Sequence, residues 1–554
     1  MVVYQALGPI RATWRQLTFC LRILADLVSD VTFHLLYFGR KKTLPPLNHK
    51  ILLLSASQLA EKIRSRQISS EFLVRACIER IAEIQPVLNA VVDQRYDEAL
   101  ATAQKVDRDL AAMDSEPTGV HLAETTPFLG VPFSVKEGVR VQGLHQSYGL
   151  TARADYVAPS DSDMTRALRQ AGAIPLCVSN VSELGLWWDS SNYVYGTSCN
   201  PYDTTRSPGG SSGGEAALQA ACGIPISIGT DTGGSIRTPA AFCGLFGHKA
   251  TPGLMCLRGA DIVDPPASYV SQLQVAGPMS RNVEDLVPIL RVLMGSKADK
   301  LRLDQEVYLT QLKFFYVDES IGSNLVSPVA PEVRQALFRV IDFLEDNFGV
   351  QVQRLKLPRF RQSISIFTHA LVQDSCESPL SICQSLSNNQ GSISIVKEWS
   401  RWIIGRGGHI FPNLVNASMN RVSQGMLWTT SLMPLRSKKG DPQGTSNRDS
   451  LKRELMDILG TNGVLLCPAH PTTAPYHFQS YSKPFNFIYS GIFNALGFPA
   501  TTVPLGLNSE NLPLSIQVVA GPFNDRLTLA VANALERPFG GWIPPFRDTS
   551  NLFY

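Results

Sequence analysis

This sequence predicts an α/β fold: a single large domain with a mixed central sheet flanked by helices. Three observations carry that reading. Short apolar runs of strand length occur at LGVPFSV (129–135), AIPLCVS (173–179), IPISIG (224–229), GVLLCP (463–468) and LSIQVVAG (514–521). Their near-continuous hydrophobicity is that of strands buried on both faces, and the helical or glycine-rich segments between them argue for a partly parallel sheet. Between residues 90 and 540 no repeat, low-complexity block or linker divides the chain, so one large domain is favoured even at 554 residues.

Taken from the N-terminus, residues 12–38 form a helix that is apolar but charged along one stripe. Arg22, Asp26 and Asp30 recur every four residues with Arg15 seven before Arg22, while Leu17, Leu21, Leu24, Leu27, Val28, Val31 and Leu35 cover much of the rest. The charges leave no uninterrupted run of the roughly 20 apolar residues that a membrane span needs. Two membrane readings follow, a helix lying in the bilayer interface or an imperfect span stopped by Arg40, Lys41 and Lys42. A helix packed on the protein's own surface is the third. The Pro-rich stretch TLPPLNHK (43–50) closes this appendage, so residues 1–50 are set apart from a main domain at 51–554. In that domain SSEFLVRACIERIAEI (69–84) reads as a helix with Leu73, Cys77, Ile81 and Ile84 on one face, Ser69 or Ser70 as N-cap and Pro86 as its stop. Residues 355–450 are richer in Ser, Asn and Gln and suit either a substrate-lining region or an irregular helical surface.

Composition excludes several classes of function. A net charge of +3 with scattered basic residues offers no footprint for nucleic acid. The 10 cysteines contain no C-x-x-C pair and read as reduced, mostly buried thiols facing the cytosol. The 9 histidines form no cluster at metal-ligand spacing, so neither a metal nor another cofactor is expected.

The chemistry gathers in two glycine turns. SPGGSSGGEAALQAACG (207–223) is a turn feeding a short Ala-rich helix, and IPISIGTDTGGSIRTPA (224–240) is a strand, a second turn and another helix start. If helix and strand fold back on each other, both turns aim serines, Ser211 and Ser235, at one place. GGSSG also fits the letters of a nucleophile elbow, but PYDTTRSP before it is a poor strand. No histidine lies within ten residues of Ser235, so lysine is the next base a serine can use. An ordinary lysine, with a pKa of about 10.4, is protonated at neutral pH, and burial in an apolar setting lowers it toward a form that accepts a proton. Lys136 ends the apolar run VPFSVK, at the carboxyl end of a strand where α/β sheets place their sites. Taken alone, that segment favours a lysine that merely caps a strand.

GVPFSVKE, SPGGSSGGEAA, GTDTGGSIRTPAAFCGLFGHKATPG, FNALGFPATTVPLG and LPLSIQVVAGPFNDRLTLAVA together resemble the amidase signature family from about residue 55 to 537. The resemblance implies a Ser-Ser-Lys triad, with Ser235 the nucleophile, Ser211 a bridging serine after a cis peptide at Gly210, and Lys136 the base. It implies an oxyanion hole from the backbone N–H groups of Thr232, Gly233, Gly234 and Ser235, with Asp231 and Arg237 bracing the turn. The usual K-P-T after the signature is KAT here (249–251). With the N-terminal helix, the family points to a membrane-associated, cytosol-facing serine hydrolase of fatty-acid amides, acting on a lipid-like substrate and forming a homodimer. Amidases of small polar amides, the glutaminase-type subunits of tRNA-dependent amidotransferases, and a non-catalytic binding protein on the same fold are the alternatives.

Overall fold

The computed structural model describes residues 2–113, 118–260, 271–374 and 442–546. Its centre is a mixed sheet of eleven strands. In chain order these are β1 (Val91–Gln94), β2 (Pro132–Lys136), β3 (Ile174–Ser179), β4 (Ile226–Asp231), β5 (Phe246–Lys249), β6 (Val275–Ser280), β7 (Lys313–Tyr316), β8 (Val352–Arg354), β9 (Gly463–Cys467), β10 (Ala500–Leu507) and β11 (Pro513–Ala520). Across the sheet the order is β1-β3-β2-β4-β6-β5-β10-β11-β9-β7-β8. Parallel pairing joins β2 to β3 and β4 on one side and β7 to β8 and β9 on the other. Antiparallel strands fill the middle. All five apolar runs read from the sequence are strands, and every residue of β2, β3, β4, β9 and β11 is buried. The apolar core lies in two large clusters, one built mainly from residues 44–293 and the other from the C-terminal half.

Helix α1 spans Val2–Tyr37, a longer helix than the 12–38 reading. Helix α2, Ser70–Leu88, buries the expected face of Leu73, Cys77, Ile81 and Ile84. Ser69 caps it, its side chain accepting the Phe72 N–H at 3.0 Å. Pro86 does not stop it. The helix runs on to Leu88 and ends where Asn89 turns left-handed (φ 46°), its N–H donated to Gln85 O at 2.9 Å. Asn tolerates that conformation and closes a last turn which the proline, already inside it, does not break.

Among the described residues no helix is long and apolar enough to cross a membrane, so the span reading of α1 finds no support. The polar stripe of α1 faces the protein instead. Arg22 donates to Ser482 O at 3.2 Å and pairs with Asp26, Asp30 pairs with Lys483 at 2.5 Å, and His34 Nδ1 shares a hydrogen bond with Tyr476 Oη at 2.9 Å. Tyr37 stacks on Tyr476 with ring centroids 5.6 Å apart. The opposite face is bare: Leu17, Leu21, Leu24, Leu27, Val28, Val31 and Leu35 are 49 to 70% exposed. Of the region 355–450, residues 375–441 lie outside the described residues.

Candidate functional site

The two glycine turns do meet. Helix α3 (Gly213–Ala220) and helix α4 (Arg237–Phe242) each follow one of the serines. Ser212 N–H donates to Ser235 O at 3.3 Å, which ties the turns together backbone to backbone. β2 delivers Lys136 to the same point, where its Nζ donates to Ser211 Oγ at 3.1 Å. The three side chains differ slightly in access. Ser211 is 0% and Lys136 3% exposed, while Ser235 at 9% is the one most open to an incoming group.

The Gly210–Ser211 peptide is cis, as the resemblance implied. Gly210 has no room for a side chain, since a Cβ there would lie 2.6 Å from Asp189 N and 2.7 Å from Trp187 O. The loop through Gly185 covers the pair from the other side: a Cβ on Gly185 would stand 3.7 Å from Ser211 Oγ and 4.0 Å from Lys136 Nζ. The turn carrying Ser235 depends on glycine as well. Gly234 holds φ +115°, where a Cβ would meet Ser490 Cβ at 2.8 Å, and a Cβ on Gly233 would meet the Phe367 ring at 3.0 Å. Phe367 packs edge-on against Phe487 at 5.1 Å, so the described part of the 355–450 region borders this turn with aromatic surface.

Asp231 and Arg237 brace the turn from beneath. Asp231 Oδ1 accepts Gly234 N–H at 2.7 Å, and Oδ2 accepts Ile236 N–H at 3.2 Å and Arg237 Nε at 3.1 Å. Both side chains are wholly buried. Burial opposes the charge on Asp231, but Arg237, Lys249 and Asn494 outweigh it and hold the carboxyl well below the usual carboxylate range. Gly234 N–H, one of the four oxyanion donors that the resemblance implied, is thus engaged by Asp231.

Sequence reasoning missed the groups that complete this network. Asn494, on helix α5 (Ile488–Leu496), donates to Asp231 O at 3.0 Å and accepts from Arg237 at 2.5 Å. Gln517 on β11 accepts from Arg237 at 3.0 Å. Each is an amide side chain within a largely apolar run, GIFNALG and LSIQVVAG, and that is the signal that marks them. Lys249, fully buried at the end of β5, is lowered to about 7 by burial and then by Arg237. Two buried carboxyls flank the site. Glu137, next to Lys136, accepts the N–H groups of Ser147 and Tyr148 and the Tyr195 hydroxyl, and burial pushes it up to about 7. Glu215, in the first turn of α3, is also pushed up to about 7 by burial.

The amidase family profile, described as "Amidase", matches residues 72–529. Fatty-acid amide hydrolase 2 of Homo sapiens is 41% identical over 537 residues, covering 95% of this chain and 97% of that protein. A subunit of the glutamyl-tRNA(Gln) amidotransferase of Prochlorococcus marinus (strain NATL2A) is 28% identical over 86% of this chain and 96% of its own length. Among solved structures, one of a fatty acid amide hydrolase shares the fold with a TM-score of 0.69 at 21% identity, covering 91% of this chain and 88% of that one.

Asp231→Asn leaves the Arg237 guanidinium buried without its counter-charge, and chemical denaturation should register a loss of about 3 to 5 kcal/mol. The pH response follows from the two raised carboxyls. Each contributes stability that is complete below its unfolded pKa of about 4.3 and is lost as pH rises through its folded value near 7. The fall in unfolding free energy between pH 5 and pH 8 should therefore be smaller in Glu215→Gln than in the parent chain. Equal falls in the two proteins would contradict the assignment.

Proposed function

Because the chain belongs to the amidase family, hydrolases acting on carboxamide C–N bonds, we propose that it is a serine hydrolase cleaving fatty-acid amides through an acyl-enzyme on Ser235. The observation that carries this reading is the Lys136 Nζ to Ser211 Oγ hydrogen bond of 3.1 Å, made beside the turn that presents Ser235. Neutral Lys136 takes the Ser211 proton while Ser211 takes the Ser235 proton, and the Ser235 oxygen attacks the amide carbon. Backbone N–H groups of Thr232, Gly233 and Ser235 stabilise the oxyanion, each worth on the order of 3 kcal/mol in the transition state. The reverse relay delivers the proton from Lys136 through Ser211 to the departing nitrogen. Water then repeats the sequence on the ester, releasing fatty acid and ammonia or amine. No metal or other cofactor enters these steps.

The fatty-acid part of the reading rests on the likeness to fatty-acid amide hydrolase 2 and on two apolar features. Aromatic rings of Phe367 and Phe487 border the nucleophile turn. The outer face of α1 is apolar, and its exposed Leu17, Leu21, Leu24, Leu27, Val28, Val31 and Leu35 sweep an arc of roughly 120° at the helical repeat. That is wider than the seam of a paired coiled coil and matches a helix lying in a bilayer surface. Arg40, Lys41 and Lys42 at its end suit anionic headgroups.

Long-chain primary amide such as oleamide should be hydrolysed by the purified chain and not by Ser235→Ala, read as fatty-acid release. A wild-type protein that labels with a fluorophosphonate at Ser235 yet releases no fatty acid would leave a hydrolase of small polar amides. Leu24→Glu/Leu27→Glu/Val31→Glu should lose co-flotation with anionic vesicles, by about tenfold or more in partitioning, at unchanged melting temperature. Equal flotation of the two proteins would remove α1 as the membrane contact.

A further inference from the structure

Glu215 is a fully buried carboxyl with no role in the relay just described, and burying one is costly unless its oxygens are well bonded. Its Oε2 accepts the Ser134 hydroxyl at 2.8 Å and the Ser227 hydroxyl at 2.6 Å. Among the described residues its Oε1 and the Ser179 hydroxyl beside it have no hydrogen-bond partner. Ser134 is on β2, two residues before Lys136 and therefore on the same face of the strand. Ser227 is on β4 directly across from Ser134, and β4 ends at Asp231, where the Ser235 turn begins. Ser179 is on β3, opposite Lys136. Glu215 itself follows Ser211 by four residues in the first turn of α3.

One carboxyl thus touches the three segments that carry Lys136, Ser211 and Ser235. A glutamate exposed in the first turn of α3 would serve the helix dipole equally well. What that role leaves unexplained is a carboxyl driven between two neighbouring strands to accept a hydroxyl from each. We propose that Glu215 is a positioning residue that sets the Lys136–Ser211–Ser235 geometry by bonding α3 to β2 and β4. This rests on the serine-hydrolase reading above. A displacement of about 1 Å among reacting groups can cost up to about 10²-fold in rate, which gives such a tie its leverage.

The test uses the full-length chain and three readouts: kcat and KM for oleamide, the rate of fluorophosphonate labelling at Ser235, and melting temperature. Glu215→Ala should lower kcat and labelling rate together by about tenfold to 10²-fold, with KM changed by less than about threefold. Glu215→Gln, whose amide oxygen still accepts both hydroxyls, should recover most of the loss, and Ser134→Ala/Ser227→Ala should fall between them. A folded Glu215→Ala with wild-type kcat and labelling overturns the proposal, as does a Glu215→Gln no better than Glu215→Ala. If Glu215→Ala does not fold, the double serine variant decides, and wild-type rates there overturn it. Ser235→Ala separates the two claims, because labelling that survives in Ser235→Ala refutes the serine-hydrolase reading itself rather than the role of Glu215.

Discussion

The buried pair of Asp231 and Arg237 is the constraint on which the site depends. A turn with glycine at both 233 and 234 is pliable by itself. Asp231 supplies what the turn lacks, an acceptor for the N–H groups of Gly234 and Ile236. A carboxylate wholly removed from water needs a counter-charge and saturated oxygens, and Arg237 with Asn494 provides both. Arg237 in turn reaches Ser490 O and Gln517. The turn is thereby bonded to α5 and β11, elements that lie more than 250 residues away in the chain.

The sheet then determines what that turn faces. β2 and β4 are parallel neighbours, so their carboxyl ends, carrying Lys136 and the start of the Ser235 turn, lie side by side at one edge of the sheet, as the topology of α/β folds requires of a site. The helix between them, α3, brings Ser211 to the same edge. Fully buried strands leave their ends with no water to solvate polar groups, and the polar side chains that carry or flank the site are bonded to one another: Lys136 to Ser211, Glu215 to Ser134 and Ser227, Glu137 to Tyr195. The same burial raises the carboxyls and lowers Lys249.

Helix α1 reverses the usual arrangement of an amphipathic helix on a globular protein. Its charged and hydroxyl side chains bond inward to residues 476–483 and its leucines and valines face outward. Ser480, in that docking segment, also accepts the Trp187 indole N–H at 2.9 Å, and Trp187 belongs to the loop that covers Ser211. The outward-facing helix and the edge that carries Ser211 are therefore joined through a few side chains.

Much of this was legible in the residues. Apolar runs of five to eight residues specify buried strands because the requirement is local, and all five formed. Ser211, Ser235 and Lys136 stood out because glycine-flanked serines and a lysine ending an apolar strand are uncommon without a reason. Asn494, Gln517 and Glu215 are not legible there: a polar letter among apolar ones tells of a buried bond without naming its partner. The direction of α1 was likewise undecided, since its periodicity separates two faces but does not say which turns inward. That depended on Ser482 and Lys483, roughly 450 positions downstream. Local pattern determines which elements form and which residues carry chemistry. Only the folded chain decides which distant side chains satisfy a buried charge, because that choice is made by proximity in space.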